Sequence, residues 1–74
     1  MRSIREIASE IETDWTKVNF AARPYLDAMY SLDSVGDSYG LDSGQSVVAY
    51  FLANAGAWRG DRARALKAEL KAML

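Results

Sequence analysis

Residues 3–12 read Ser-Ile-Arg-Glu-Ile-Ala-Ser-Glu-Ile-Glu. Ser3 and Glu6 form a capping-box pattern, in which each side chain can accept the backbone N–H of the other residue. The apolar residues behind them recur at the i, i+3, i+4, i+7 spacing of one helical face and are Ile4, Ile7, Ala8 and Ile11. This pattern predicts a first helix over residues 4–12, followed by a stop at Thr13 and a fresh N-cap at Asp14.

Helical spacing of apolar residues continues from Trp15, but Pro24 interrupts it. Proline lacks a backbone N–H and its ring clashes with the preceding turn. We therefore expect a short turn over residues 15–19 and a second helix that begins at Phe20 or at Pro24. This helix is expected to extend into the mid-thirties and to stop at Gly40, because glycine is the usual residue just past a helix end.

Two further amphipathic stretches predict a third and a fourth helix. Asp42 or Ser43 is the expected cap of the third, and Asp42 with Gln45 resembles a second capping box. Asp61 is the expected cap of the fourth. The predicted buried faces are Val47, Val48, Phe51, Leu52 and Ala55 in the third helix and Ala63, Leu66, Leu70, Met73 and Leu74 in the fourth.

The fold class follows from these elements. No stretch alternates polar and apolar residues over the length of a strand, and no repeat or linker divides the 74 residues. Half of the residues are hydrophobic, which is enough to form a core. The sequence therefore predicts an all-α protein, a single domain over residues 1–74 built as a compact bundle of about four short helices.

The chain contains no histidine and no cysteine. Zinc sites of the usual kinds, Cys–His nucleophiles and Ser–His–Asp triads are therefore excluded. We expect no enzyme activity, no catalytic residue, no metal and no cofactor. The oxygen-rich segment 33–44 could hold a hard cation, but its residue types are equally typical of a helix end, a turn and an N-cap, which is the interpretation we favour.

Neither a signal-peptide core nor a long apolar run is present, which favours a cytoplasmic protein without a membrane partner. The net charge of −1 implies no general attraction to nucleic acid. The charge is uneven, however: residues 1–56 carry four basic and eight acidic residues, and residues 57–74 carry five basic and two acidic ones.

The last helix offers two candidate surfaces. Its basic residues and those of the preceding turn, Arg59, Arg62, Arg64, Lys67 and Lys71, could contact nucleic acid, but basic residues in a last helix are also typical of a solvated face. The alanine strip, defined as Ala65, Ala68 and Ala72, could be a dimer seam or could reflect only the helix propensity of alanine.

Exposed tyrosine, tryptophan and arginine dominate binding hot spots. Tyr50, Trp58 and Arg59 are therefore the candidate partner-binding cluster, and Tyr30 also looks difficult to bury. The alternative is that these aromatic rings cover the edge of the core and keep their polar tips in water.

Three stretches carry a resemblance to a known family. They read Asp-Trp-Thr-Lys-Val-Asn-Phe-Ala-Ala-Arg-Pro-Tyr-Leu-Asp-Ala-Met (14–29), Asp-Ser-Tyr-Gly-Leu-Asp-Ser (37–43) and Tyr-Phe-Leu-Ala-Asn-Ala-Gly-Ala-Trp-Arg-Gly (50–60). They resemble a family of small helical proteins encoded in proteobacterial genomes and prophages, which has no assigned function. The similarity covers nearly the whole chain and implies a mobile-element setting, with no ligand or catalytic residue to transfer.

Together these observations predict a small protein-binding module, an inhibitor or accessory factor of phage type that binds a host, defence or phage protein stoichiometrically, as a monomer or homodimer. The predicted partner-binding residues are Tyr50, Trp58, Arg59, Arg62, Arg64, Lys67 and Lys71, and the predicted dimer seam is the alanine strip. Two alternatives stay open: a nucleic-acid-binding helical hairpin that uses the basic last helix, and a binder of a small ligand or nucleotide in a pocket between helices.

Overall fold

The computed structural model describes residues 2–40 and 42–74. It has four helices and one short hairpin: α1 (Ile4–Asp14), α2 (Arg23–Met29), β1 (Ser38–Tyr39), β2 (Asp42–Ser43), α3 (Gly44–Ala53) and α4 (Asp61–Lys71). The predicted all-α bundle of four short helices is confirmed, with the hairpin as an unpredicted insertion between α2 and α3.

Helix α1 begins with the predicted capping box. The Ser3 Oγ accepts the N–H of Glu6 at 3.2 Å, and the Glu6 carboxylate accepts the N–H of Ser3 at 3.1 Å. The helix continues two residues past its predicted end, to Asp14, because the Thr13 hydroxyl bonds to the Ser9 carbonyl and the Trp15 N–H to that of Ile11. Asp14 is therefore the last residue of α1, and the prediction that it caps a new helix is wrong.

Helix α2 is much shorter than predicted. Pro24 lies in its first turn, where the missing N–H breaks no helical hydrogen bond, so the helix is not kinked. The chain leaves the helix after Met29 and turns toward the start of α1. There the carbonyls of Leu32 and Asp33 accept the N–H groups of Arg5 and Ile4 at 3.0 and 2.9 Å. The helix stops because these carbonyls serve α1, whose first N–H groups have no partner within that helix.

The segment between α2 and α3 forms a hairpin. Ser38 pairs with Ser43, and Tyr39 with Asp42, in antiparallel register. Gly40 lies in the connecting turn with φ 61°, so its predicted role as a helix stop is wrong. Asp42 belongs to β2, which also excludes the second capping box. Of the two expected caps of α3, Ser43 is the one observed, and its hydroxyl accepts the N–H of Ser46 at 3.1 Å.

Helix α4 begins differently from its prediction. Its N-cap is Gly60, at φ 115°, and no side chain caps it. Asp61 is the first helical residue, and the prediction that it is the cap is wrong.

The core lies among all four helices and includes three aromatic rings that pack on one another. Trp15 and Trp58 stack with centroids 5.7 Å apart and an angle of 5° between the rings, and Phe51 meets both edge-on. Of the predicted buried faces, Leu52 and Met73 are half-buried and Leu74 is exposed. The fully buried large side chains are Ile4, Ile7, Ile11, Leu26, Met29, Leu32, Val48, Phe51 and Leu70.

Candidate functional site

The predicted partner-binding cluster does not lie together on the surface. Trp58 is only 3% exposed and belongs to the core. Its indole N–H donates to the Oδ2 of Asp14 at 2.8 Å, which satisfies the polar edge of the ring and allows its burial. Trp58 is therefore not available as a surface contact. Tyr50 lies on the solvent side of α3, and Arg59 is exposed in the turn before α4.

The solvent face of α3 carries no charge. Its exposed residues are Gln45, Ala49, Tyr50 and Ala53, and no charged residue occurs anywhere in 44–58. A surface helix of a small protein normally carries charged residues on the side opposite the core, as α1 and α4 do. The neutral face of α3 is thus distinct from the rest of the helical surface.

Tyr50 extends this neutral face onto α2. Its ring stacks on the half-buried ring of Tyr25, with centroids 5.5 Å apart and 27° between the planes. Tyr50 remains 54% exposed. The pair therefore presents aromatic surface to solvent where α2 packs on α3.

Phe20 is the most exposed large apolar residue in the described part of the chain, at 96%. The turn that carries it is held in place by Asn19, whose Oδ1 accepts the N–H of Ala22 at 2.8 Å and whose Nδ2 donates to the carbonyl of Asn54 at 3.1 Å. Asn54 follows α3 directly, and its own Nδ2 donates to the Tyr50 carbonyl at 2.8 Å. The backbone beside Phe20 is thus held to the end of α3 through Asn19. We call Phe20, Tyr25 and Tyr50, together with Ala49 and Ala53, the aromatic surface, because all five are uncharged and exposed or half-buried.

The sequence prediction missed Phe20, although a signal for it exists. The apolar stripe of this region runs through Trp15, Val18, Ala22 and Leu26, and Phe20 falls between its members. A large apolar residue outside the buried stripe is expected at the surface.

The predicted basic residues have different surroundings. Arg62 binds the carboxylate of Glu10 at 2.7 Å, so it joins α4 to α1. Arg64 lies 3.5 Å from Asp61, but both side chains are highly exposed and such a pair contributes little. Among the described residues, Arg59, Lys67 and Lys71 form no ion pair with a carboxylate.

Lys67 is the half-buried member of this group. Its Nζ donates to the Trp58 carbonyl at 2.6 Å and lies 5.6 Å from the centre of the Trp58 ring. Burial lowers the pKa of its ammonium group, and the nearby positive charges of Lys71 and Arg59 lower it further. Lys67 thus lies within the electrostatic influence of two other cations, Lys71 and Arg59.

These cations surround a cleft beside the first turns of α4. The cleft has a volume of about 300 Å³ and is lined by Trp58, Arg59, Gly60, Ala63, Arg64 and Lys67. We call it the basic cleft. Its lining includes three cationic side chains and no carboxylate.

The three residues of the alanine strip are all exposed. Glu69, on the same helix, is bound by Arg2, whose Nε and Nη2 donate to its two carboxylate oxygens at 3.0 and 2.7 Å. This ion pair fixes α4 against the start of the chain and lowers the pKa of Glu69. The strip itself carries no feature that separates a contact surface from ordinary helix propensity.

Two carboxylates of the oxygen-rich segment 33–44 have partners within the protein, since Asp33 pairs with Arg5 and Asp37 closes a turn. The Asp37 carboxylate accepts the N–H groups of Asp33 and Ser34 at 2.8 and 3.3 Å. Across residues 2–40 and 42–74, no three acidic side chains lie close enough together to hold a metal ion. Over the same ranges, the helices are too short or too polar to cross a bilayer.

Comparison of the chain with protein-family models, with curated proteins and with solved structures finds no match.

Proposed function

We propose that this chain is a small protein-binding module and that the aromatic surface is its contact site. The observation that carries the proposal is the exposure of Phe20. Burying a phenylalanine side chain contributes about 1.5–3 kcal/mol, and at 96% exposure Phe20 contributes almost none of this to folding. The turn that carries it is held in place by the hydrogen bonds of Asn19, so the backbone that presents the ring has a defined position.

The chemistry of the surface favours a protein over a charged partner. Tyrosine and phenylalanine are enriched in the cores of protein interfaces, where charged residues are depleted. The solvent face of α3 shows both properties, since it offers Tyr50 and has no charge. The partner is therefore expected to provide an apolar pocket for Phe20 and an uncharged rim for the Tyr25–Tyr50 pair.

The described surface is large enough for one interface of standard size. A standard interface covers about 800 Å² of each partner, close to a fifth of the 4468 Å² that this chain exposes. As a binding module, the chain is expected to occupy its partner stoichiometrically. In the mobile-element setting that the family resemblance implies, that partner would be a host or defence protein.

The test is site-specific crosslinking in the cell that encodes the chain. A photoreactive phenylalanine analogue at position 20 or 50 is expected to crosslink one partner, and the same analogue at the exposed position Ser9 of α1 is not. With the purified partner, calorimetry should give one-to-one binding. Phe20→Ser should weaken this binding at least about 30-fold, as expected for a hot spot.

Two results would overturn the proposal. One is equal affinity of Phe20→Ser, Tyr50→Ser and the unmodified chain for the crosslinked protein. The other is a crosslink from position 20 only to a second copy of the chain, which would make the aromatic surface a homodimer interface. Light scattering on the purified chain checks the second result independently.

A further inference from the structure

The basic cleft lies far from Phe20 in the sequence. Unlike the uncharged aromatic surface, it is lined by cationic side chains. It is formed by the turn that contains Trp58 and by the first turns of α4, and it has room for a small group, at about 300 Å³. Arg59, Arg64 and Lys67 line it together. Three positive charges around one small cleft repel each other, and this repulsion is relieved when an anion binds between them.

The intramolecular partners of these cations leave most of their donors free. Lys67 uses one of its three N–H donors on the Trp58 carbonyl. Arg64 has only the exposed 3.5 Å contact with Asp61. The structure pairs Arg2, Arg5, Arg23 and Arg62 with carboxylates, so the shortage of carboxylates around the cleft is local.

The arrangement favours a single compact anion over a nucleic-acid backbone. A duplex or single strand is held by a row of cations that follow successive phosphates. Arg62 lies two residues from Arg64, so it faces a different side of α4, where it is bound to Glu10 at 2.7 Å. Arg59, Arg64 and Lys67 line one small cleft together, and Lys71, which follows Lys67 by one turn of α4, is not among its lining residues.

We propose that the basic cleft binds the terminal phosphate group of a small phosphorylated ligand. Arginine guanidinium and lysine ammonium groups are the usual donors to phosphate oxygens. Arg59 and Arg64 supply guanidinium donors from the turn and the helix, and Lys67 supplies the ammonium group between them. The basic cleft and the aromatic surface share no residue, so the experiments can refute either proposal without refuting the other.

The experiment is an NMR titration of the ¹⁵N-labelled full chain, in which the effects of the probes are compared at the same ionic strength. The probes are inorganic phosphate, adenosine monophosphate, sodium chloride and an oligonucleotide that lacks a terminal phosphate. Phosphate and adenosine monophosphate should give saturable shifts of the amides of Arg59, Gly60 and Arg64. Chloride should give only small, linear changes, and the oligonucleotide should not compete with phosphate for these amides.

Variants identify the donors. Arg59→Gln and Lys67→Gln should each weaken phosphate binding about tenfold, the usual effect of losing one charged hydrogen bond. Arg5→Gln is the matched control, because it removes the same charge from an exposed pair on α1 and should leave the affinity unchanged. Arg59 is exposed, so its variant reports on binding even if Lys67→Gln alters the packing of Trp58.

Three results would overturn the proposal. Phosphate shifts no larger than those of chloride would show that the cleft has no anion site. Equal phosphate affinity of the Arg59, Lys67 and Arg5 variants would place binding elsewhere. If the oligonucleotide bound more tightly than adenosine monophosphate at the same amides, the cleft would be a site for the phosphodiester backbone of a strand and not for a terminal phosphate.

Discussion

The indole N–H of Trp58 donates a hydrogen bond of 2.8 Å to the carboxylate of Asp14, 44 residues earlier in the chain. This bond joins the turn before α4 to the last residue of α1. It also allows the Trp58 ring to lie flat against Trp15 in the core without an unsatisfied polar group. The Asp14 carboxylate is exposed and the Trp58 ring is buried, so this bond links the surface of the protein to its core.

Replacing Asp14 by alanine should lower the free energy of unfolding by about 1–3 kcal/mol, because the indole N–H then loses its acceptor. Asp14→Asn should recover most of this, since its amide oxygen can still accept. Urea unfolding followed by tryptophan fluorescence measures both. A double-mutant cycle with Trp58→Phe isolates the bond, and a coupling energy near zero between the two positions would contradict this interpretation.

Gly44 is the glycine that the fold needs for close packing. A Cβ at this position would lie 2.8 Å from the carbonyl oxygen of Ser34 and 3.0 Å from those of Val35 and Asp37. These are backbone atoms that cannot move aside cheaply, and the Gly44 N–H also donates to the Asp37 carbonyl at 2.6 Å.

Gly44→Ala should therefore lower the free energy of unfolding by about 1–3 kcal/mol, the usual cost of overpacking. Gly56→Ala is the matched control, because no atom lies within 4 Å of the added carbon and its φ is not positive. Its effect should stay within about 0.5 kcal/mol. Thermal unfolding of both variants tests the claim, which fails if they melt at the same temperature.

The parts of the fold that the sequence predicts correctly are those determined by local spacing. The capping box of Ser3 and Glu6 and the helical stripes concern residues within one or two turns of each other. The end of α2 could not be read in this way, because the carbonyls of Leu32 and Asp33 are taken by N–H groups at the start of α1. The hairpin was missed because its strands have two residues each, too short for a period of two to show.

The candidate site was harder to predict than the fold for a related reason. Trp58 is buried because Trp15 and Asp14 meet it from more than 40 residues away, and no local pattern reports this. The local sequence does not distinguish Arg62 from Arg59, but of the two only Arg62 binds a carboxylate, that of Glu10 on α1. Phe20 was the one site residue whose position outside the stripe could have been noticed.

Phe20→Ser separates binding from folding. Because the ring is almost fully exposed, its loss should change the free energy of unfolding by no more than about 0.5 kcal/mol. Phe51→Ala provides the contrast, since Phe51 is fully buried and its truncation should cost about 3–5 kcal/mol. Chemical denaturation measures both. A loss of more than 1 kcal/mol in Phe20→Ser, which is about twice the usual surface effect, would mean that the ring supports the fold.

Tyr30 and Glu12 provide a pH-dependent contact between α1 and the end of α2. The Tyr30 hydroxyl donates to the Glu12 Oε1 at 2.7 Å, and Arg23 donates to the other carboxylate oxygen at 3.0 Å. Burial and, after it, the hydrogen bond to Glu12 together raise the pKa of Tyr30 from 10.0 to about 12. The same bond, followed by that from Arg23, lowers the pKa of Glu12 below its ordinary value of 4.5.

These two shifts predict opposite pH limits for the contact. Because the pKa of Tyr30 is raised in the folded state, its stabilisation is complete below pH 10 and is lost as the pH rises toward about 12. Because the pKa of Glu12 is lowered, its stabilisation is complete above pH 4.5 and is lost as the pH falls through the folded-state pKa.

Tyr30→Phe should flatten the alkaline loss of stability and weaken the acidic one, as measured by urea unfolding across the pH range. Parallel curves for the variant and the unmodified chain would show that this hydrogen bond is not linked to stability, whereas convergence of the two curves at high pH is the result that the geometry requires.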